Sequence, residues 1–205
     1  MGHLAAVEFM SLDGVMQSVL SPDEDRDGGF GHGGWVPPYV DATVESFMST
    51  ATAGAAALLL GRRTYGIFAA TWPYADASDP AVAAMNAMPK YVVSRSRPEL
   101  TWENSFQLGD DLPAELARVR RETDGEILVL GSGELLRTLI ELDAVDEYRL
   151  LTFPLLLGTG KRLFDQGAPP RRLVLVDSGA TENGVLVTTY RRAAPGNGDR
   201  DRDGG

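Results

Sequence analysis

Three short segments carry residue types that could hold an anion. In LLLGRRTY, Gly61 ends an apolar run and is followed by Arg62, Arg63 and Thr64, so two guanidiniums and a hydroxyl stand where a helix would begin. Such a start adds free backbone N–H donors and the positive end of the helix dipole. In KYVVSRS, Ser94 and Ser96 flank Arg95, two hydroxyls around one cation. In ILVLGSGELL, Gly131, Ser132 and Gly133 precede another helix, and glycine there lets a pyrophosphate approach the backbone closely. Each segment alone also has a plain reading, since an arginine after a strand is commonly a solvated end and Gly-x-Gly is common in turns. All three follow strand-like runs, however, and α/β sheets gather ligands at the carboxyl ends of their strands.

Several other chemistries lose their basis in the same sequence. Cysteine is absent, which excludes disulfides, thiolate metal sites and cysteine nucleophiles. His3 and His32 are the two histidines, so no histidine-based metal site is expected, and His32 in GGFGHGGW reads as a loop residue. After Gly131 and Gly133 the third position of a dinucleotide fingerprint is Leu136. In LLLGTGKRLF, Leu155 and Arg162 stand where a P-loop needs glycine and Ser or Thr. Gly158, Thr159 and Gly160 therefore read as a turn, with Lys161 and Arg162 either solvated or facing a ligand. No Gly-x-Ser-x-Gly elbow supports a hydrolase triad. A net charge of -10 without a basic cluster argues against a nucleic-acid surface. No apolar stretch approaches the ~20 residues of a membrane span. The start lacks the basic region and apolar core of a signal peptide, so a cytoplasmic location is expected.

The elements that must position these segments alternate between strand-like and helix-like, as an α/β domain requires. HLAAVEFM opens as a strand, and residues 18–39, rich in Gly, Asp and Pro, form a long loop of the kind that serves as a lid or is simply mobile. A helix follows over 41–53 with Asp41 as its cap, then the buried strand AAALLL. RTYGIFAATW and PAVAAMNAM read as helices, KYVVS as a strand, and AELARVRRETD as a helix ending at Gly125. EILVL is a buried strand leading into the helix GELLRTLIEL. DEYRLLTFPLLLG reads as one long strand with a bulge or edge position at Pro154, and residues 171–192 as a hairpin turning through GATENG. The tail over 194–205 has the composition of a disordered segment. Trp72 and Pro73 read as core packing.

SLDGVMQ, GGFGHGGW, LLLGRRTYGIFAATWP, PKYVVSRS, ILVLGSGELLRTLI and VDEYRLLTFPLLLGTGKRLF, in that order, resemble the dihydrofolate-reductase-like reductase domains of the RibD C-terminal type. The resemblance implies a three-layer α/β/α fold with a mostly parallel central sheet and an antiparallel C-terminal hairpin, one domain over 1–193, and NADPH as hydride donor. It further implies that Gly61, Arg62, Arg63 and Thr64 hold cofactor phosphates and that Ser94, Arg95 and Ser96 recognise the adenosine side with its 2'-phosphate. Gly131, Ser132, Gly133, Glu134 and Leu135 would line the pyrophosphate. Family members reduce pterins in one branch and, in riboflavin synthesis, the ribose of an aminopyrimidine phosphate in another. The expected activity is thus NADPH-dependent reduction of a pterin-like, aminopyrimidine or other small planar substrate by a homodimer. The alternative is a protein that keeps the fold and binds a nucleotide, flavin or heterocycle without turnover.

Hydride transfer also requires a proton donor. Asp13 in SLDG and Glu45 in the first helix are the carboxylates expected near the pocket, and the resemblance puts an acid on that helix. The competing readings are a turn residue for Asp13 and a solvated helix carboxylate for Glu45. Trp35 and Tyr39 would stack on a planar heterocycle, with loop anchoring as the other reading of Trp35. Of Arg62 and Arg63, one is expected to reach the cofactor and the other to face solvent.

Overall fold

The structure, a computed structural model, describes residues 1–164 and 170–193. Strand β1 (His3–Ser11) is followed by the long loop, helix α1 (Ala42–Ala53), β2 (Ala55–Gly61) and α2 (Arg62–Ala69). Next come α3 (Pro80–Ala87), β3 (Lys90–Val93), β4 (Ser105–Gln107), α4 (Leu112–Glu122), β5 (Glu126–Leu130) and α5 (Gly133–Glu141). The chain closes with β6 (Glu147–Phe153), β7 (Leu173–Ala180) and β8 (Leu186–Arg192). The eight strands make one sheet in the order β4-β3-β2-β5-β1-β6-β8-β7. Pairing is parallel from β4 through β6 and antiparallel at β6–β8 and β8–β7, the mostly parallel sheet with a terminal hairpin that the family resemblance implied.

The near-continuous apolar runs of β2 and β5 are those of strands covered on both faces. Leu58 and Leu60 pack with Val44 of α1 and Met85 of α3 on one face, while Leu59 packs with Leu116 of α4 and Leu136 of α5 on the other. This makes three layers. Helices α1, α3 and α4 each start on an aspartate whose carboxylate accepts first-turn N–H groups: Asp41, Asp79 and Asp111. Helices α2 and α5 have no such cap. No helix of the described residues is long and apolar enough to cross a membrane.

Where sequence and structure differ, local causes are visible. Strand β6 stops at Phe153 instead of running through Pro154, which has no N–H for the ladder. Helix α2 ends at Ala69, and Trp72–Tyr74 is a separate 3-10 turn. Helix α4 ends at Glu122, short of Gly125. The three-residue β4 had no sequence counterpart. The hairpin forms as expected, but Leu173, Val174, Leu175 and Val176 are all exposed, so β7 is an uncovered edge. The tail over 194–205 lies outside the described residues.

The loop after β1 is pinned to the core through Phe153, which is fully buried. Phe9, Trp35 and Tyr39 meet its ring edge-on, with centroids 5.6, 5.5 and 6.0 Å away. Phe153→Ala should therefore lower the unfolding free energy by about 3–5 kcal/mol, read as a shift of the urea midpoint. A loss under about 1 kcal/mol would show that the loop is not anchored there.

Candidate functional site

Strands β2 and β5 are parallel neighbours. The helix after β2 packs through Tyr65 and Phe68 into one core cluster, and the helix after β5 packs through Leu135, Leu136 and Leu139 into the other. Two adjacent strands whose helices leave to opposite faces must open a crevice at their carboxyl ends. A cavity of about 1360 Å³ lies there. Gly61, Arg62, Arg63 and Thr64 line it, as do Ser94, Arg95 and Ser96, and Gly131, Ser132, Gly133, Glu134 and Leu135. Every residue expected to bind the cofactor is therefore on its wall.

The two uncapped helices point their first turns at this space. Gly61, the residue before α2, offers no side-chain acceptor. Ser132, the residue before α5, gives its hydroxyl away, accepting the Gly61 N–H at 3.0 Å instead of capping its own helix. No side chain caps the first-turn N–H donors of either helix, an arrangement suited to an anion. Gly131 (φ 59°) and Ser132 (φ 62°) are successive left-handed residues, a geometry that turns neighbouring N–H groups to one side. For a serine this conformation costs about 1–2 kcal/mol.

The cations on the wall fall into two groups. Arg63 places Nη1 2.5 Å from Asp25 Oδ2 and Nη2 2.8 Å from Asp27 Oδ2. Lys161 Nζ donates to Asp25, Asp27 and Glu134 at 2.8, 2.7 and 3.2 Å. Hydrogen bonds from Lys161 and Arg63 hold the Asp27 carboxyl down to about 2. Arg62 and Arg95, by contrast, line the cavity and have no carboxylate partner among the described residues. Gln17, buried, ties the arrangement together: its Nε2 donates to the carbonyls of Asp25 and Asp27, and its Oε1 accepts the Lys161 N–H.

The structure does not bring the four remaining candidates to the cavity. Asp13 is a staple between loops: its carboxylate accepts N–H groups of Leu157 and Gly158 at 3.1 and 2.8 Å and the Ser11 hydroxyl at 2.6 Å. Against the upward effect of desolvation, these bonds hold it down to about 2, a group that keeps no proton to give. Arg162 braces the same turn through the Asp13 carbonyl. Glu45 is exposed in the first turn of α1 and absent from the cavity wall. Trp35 is buried, donating Nε1–H to the Gln17 carbonyl at 2.9 Å, and Tyr39 lies on Phe153. Both anchor the loop. The aromatic rings on the wall are Phe9, Phe68 and Trp72, the last of which the sequence had suggested for core packing.

One wall residue had been passed over. Glu8 lies on β1, is 5% exposed, and its Oε2 is a buried oxygen with no hydrogen-bond partner among the described residues. Burial pushes its carboxyl up to about 8, offset only in part by the Phe9 amide and reinforced by Glu24. The sequence signal was present: a lone acid inside the apolar run LAAVEFM. At the opposite, amino ends of the strands, His3, Glu126 and Glu147 cluster closely enough to suggest a metal. Arg149 already binds both carboxylates, and Arg191 binds Glu147 as well, so the cluster is a satisfied charge network.

The family model described as the RibD C-terminal domain matches residues 3–187. The chain is similar to the uncharacterized protein YyaP of Bacillus subtilis (strain 168), with 27% identity over 136 residues, 65% of this chain and 72% of YyaP. A Shewanella sp. PV-4 structure described as a riboflavin biosynthesis protein superposes with a TM-score of 0.69 at 21% identity, covering 94% of this chain and 99% of the other. Dihydrofolate reductase from Enterococcus faecalis, solved with NADP(H), gives a TM-score of 0.59 at 15% identity, covering 94% and 98%. At these identities the structural likeness establishes the dihydrofolate-reductase-like fold.

The state of Glu8 has a pH signature. A carboxyl raised from 4.5 to about 8 holds its proton more tightly in the folded chain. Its contribution is therefore intact below pH 4.5 and is lost as pH rises to about 8, with a slope of at most about 1.4 kcal/mol per pH unit. Glu8→Gln should remove that slope, so that urea unfolding at several pH values shows the variant gaining on wild type up to about pH 8 and level beyond. A pH-independent difference would show that Glu8 is ionised in the folded chain at neutral pH.

Proposed function

The chain belongs to the RibD C-terminal domain family, and on that premise we propose that it is an NADPH-dependent reductase of a pterin-like, aminopyrimidine or other small planar acceptor. The observation that carries the reading is the convergence of two uncapped helix starts with Arg62 and Arg95 on one cavity. Its volume, about 1360 Å³, exceeds the ~300–1,000 Å³ of ordinary small-molecule sites and leaves room for a dinucleotide beside a second molecule.

The wall residues fit such a cofactor. The turn of Gly131, Ser132 and Gly133, with the first N–H groups of α5, would hold a pyrophosphate, and Arg62 with Thr64 at the start of α2 would add charge and a hydroxyl. Ser94, Arg95 and Ser96 would take the adenosine 2'-phosphate. Arg62 is the better of the paired arginines for this, because Arg63 is engaged with Asp25 and Asp27 and serves to hold the loop. When bound, the dihydronicotinamide supplies a hydride. The protein supplies orientation, and Met16, Phe68 and Trp72 an apolar wall that keeps water from the acceptor.

A second copy of the chain is the partner that suits β7. Its outer edge has no strand partner among the described residues, and four consecutive apolar residues on it are exposed, an arrangement that single chains usually avoid. We assign a homodimer accordingly, and a cytoplasmic location on the family match alone. Light scattering should give twice the chain mass, and Val174→Lys with Val176→Lys should give a monomer; a monomeric wild type would sink the assignment.

NADPH should raise the melting temperature, with NADH much weaker. Arg62→Ala and Arg95→Ala should each weaken NADPH by about 10–100-fold, as expected for one charge-assisted phosphate contact, with the Arg95 loss much smaller toward NADH. No thermal shift at millimolar NADPH would overturn the reading. Binding without oxidation across a panel of pterins, aminopyrimidines and quinones would favour the non-catalytic alternative.

A further inference from the structure

We propose that Glu8 is the proton donor of this reduction, its carboxyl delivering a proton from the cavity wall to the heteroatom of the acceptor's C=X bond. The proposal rests on the reductase reading and assigns a role that neither Asp13 nor Glu45 is placed to fill. Glu8 sits on a central strand between Val7 and Phe9, all three on the cavity wall. Its flanking strands present Leu150 in register from β6 and Leu130 beside Val7 from β5, so they set no polar side chain beside it, and the Phe9 amide offsets its burial only in part. Its Oε2 is buried with no partner among the described residues, which leaves the carboxyl short of the bonds that would hold it ionised, while the residue itself lines the cavity where an acceptor would lie.

The other carboxyls on the wall are occupied or open to water. Asp25 is bound by Arg63 and Lys161, and Glu134 lies on Lys161. Glu24 accepts the Leu20 and Ser21 N–H groups, and Asp110 is exposed. The charges sharing the cavity with Glu8 are thus Glu24 and Asp25 on the loop, Arg62 and Arg63 on α2, Glu134 on α5, and Lys161. Arg95 stands with Asp110 on the β3 and β4 side. Of these, Glu24 acts on Glu8 directly and favours its protonated form. Burial acts the same way, so the group enters the reaction as an acid.

The step balances. The acceptor carbon gains the hydride with its electron pair, the π pair of C=X passes to X, and X takes the proton that leaves Glu8. The acceptor is reduced, the dihydronicotinamide is oxidised, and Glu8 is left as a carboxylate that regains a proton from water.

The test compares wild type with Glu8→Gln and Glu8→Asp as full-length chains. NADPH affinity is read by thermal shift, the carboxylic acid C=O band by infrared difference spectroscopy at neutral pH, and NADPH oxidation with dihydrofolate, an aminopyrimidine ribose phosphate and a naphthoquinone as acceptors. Affinity for NADPH should stay within about twofold, and the infrared acid band of wild type should vanish in Glu8→Gln. With the acceptor that is reduced, kcat should fall about a hundredfold or more in Glu8→Gln with little change in KM, and Glu8→Asp should recover part of it. The wild-type kcat should fall as pH rises past about 8, and the variant should lack that limb. An unchanged kcat in Glu8→Gln, or a wild-type spectrum without the band, overturns the role of Glu8 and leaves the reductase reading standing. Failure of wild type to oxidise NADPH with any acceptor overturns both.

Discussion

The hydrogen bond from the Gly61 amide to the Ser132 hydroxyl joins the two strand ends on which the site depends. It crosses 71 residues of sequence, yet it links neighbours in the sheet, because β2 and β5 run side by side. Its effect is subtractive. By turning toward Gly61, Ser132 leaves α5 without its natural cap, and Gly61 has no side chain with which to cap α2. Both helix starts therefore keep unsatisfied donors at the mouth of one crevice. Elsewhere the chain caps its helices with aspartate, a residue whose charge at these two positions would repel a phosphate.

Charge follows the same logic on a larger scale. A chain of net charge -10 is a poor partner for an anion unless cations are concentrated locally. The wall carries Arg62, Arg63, Arg95 and Lys161, and the loop answers with Asp25 and Asp27 against two of them. These loop pairs are partly exposed, and each such pair is worth only about 0–1 kcal/mol. The base of the loop is held otherwise, by the buried Trp35 to Gln17 hydrogen bond and by the rings around Phe153. Stability at the base and weak pairing at the rim let the loop fix Arg63 and Lys161 without closing the cavity.

The parts legible in the sequence were those encoded within a few residues. An apolar run followed by glycine, serine or arginine identified all three strand ends, and the Asp41 cap of α1 could be read the same way. Side chains whose roles depend on distant partners could not. Asp13 is silenced by Leu157 and Gly158, 144 and 145 residues away, and Trp35 turns inward because Phe153 waits there. Strand β4 was too short and too polar to register. HLAAVEFM could be read as a strand, but the place of β1 mid-sheet, with β5 and β6 on either side and both faces covered, could not. A charged residue in that setting is an anomaly.

Several features here work against stability, and they occupy one place. Ser132 holds a left-handed conformation, α2 and α5 start uncapped, and Glu8 is a buried acid with an unpartnered oxygen. None is demanded by the packing around it: Leu4, Ala6 and Val7 show that β1 buries apolar side chains readily, and capped helices are the rule elsewhere in the same fold. Strain and unsatisfied polar groups scattered over a protein would mark a poorly adapted sequence. Gathered around a single cavity, they are what the proposed reading requires: a ligand with anionic groups for the helix starts and the unpaired arginines, and a proton-accepting heteroatom for Glu8.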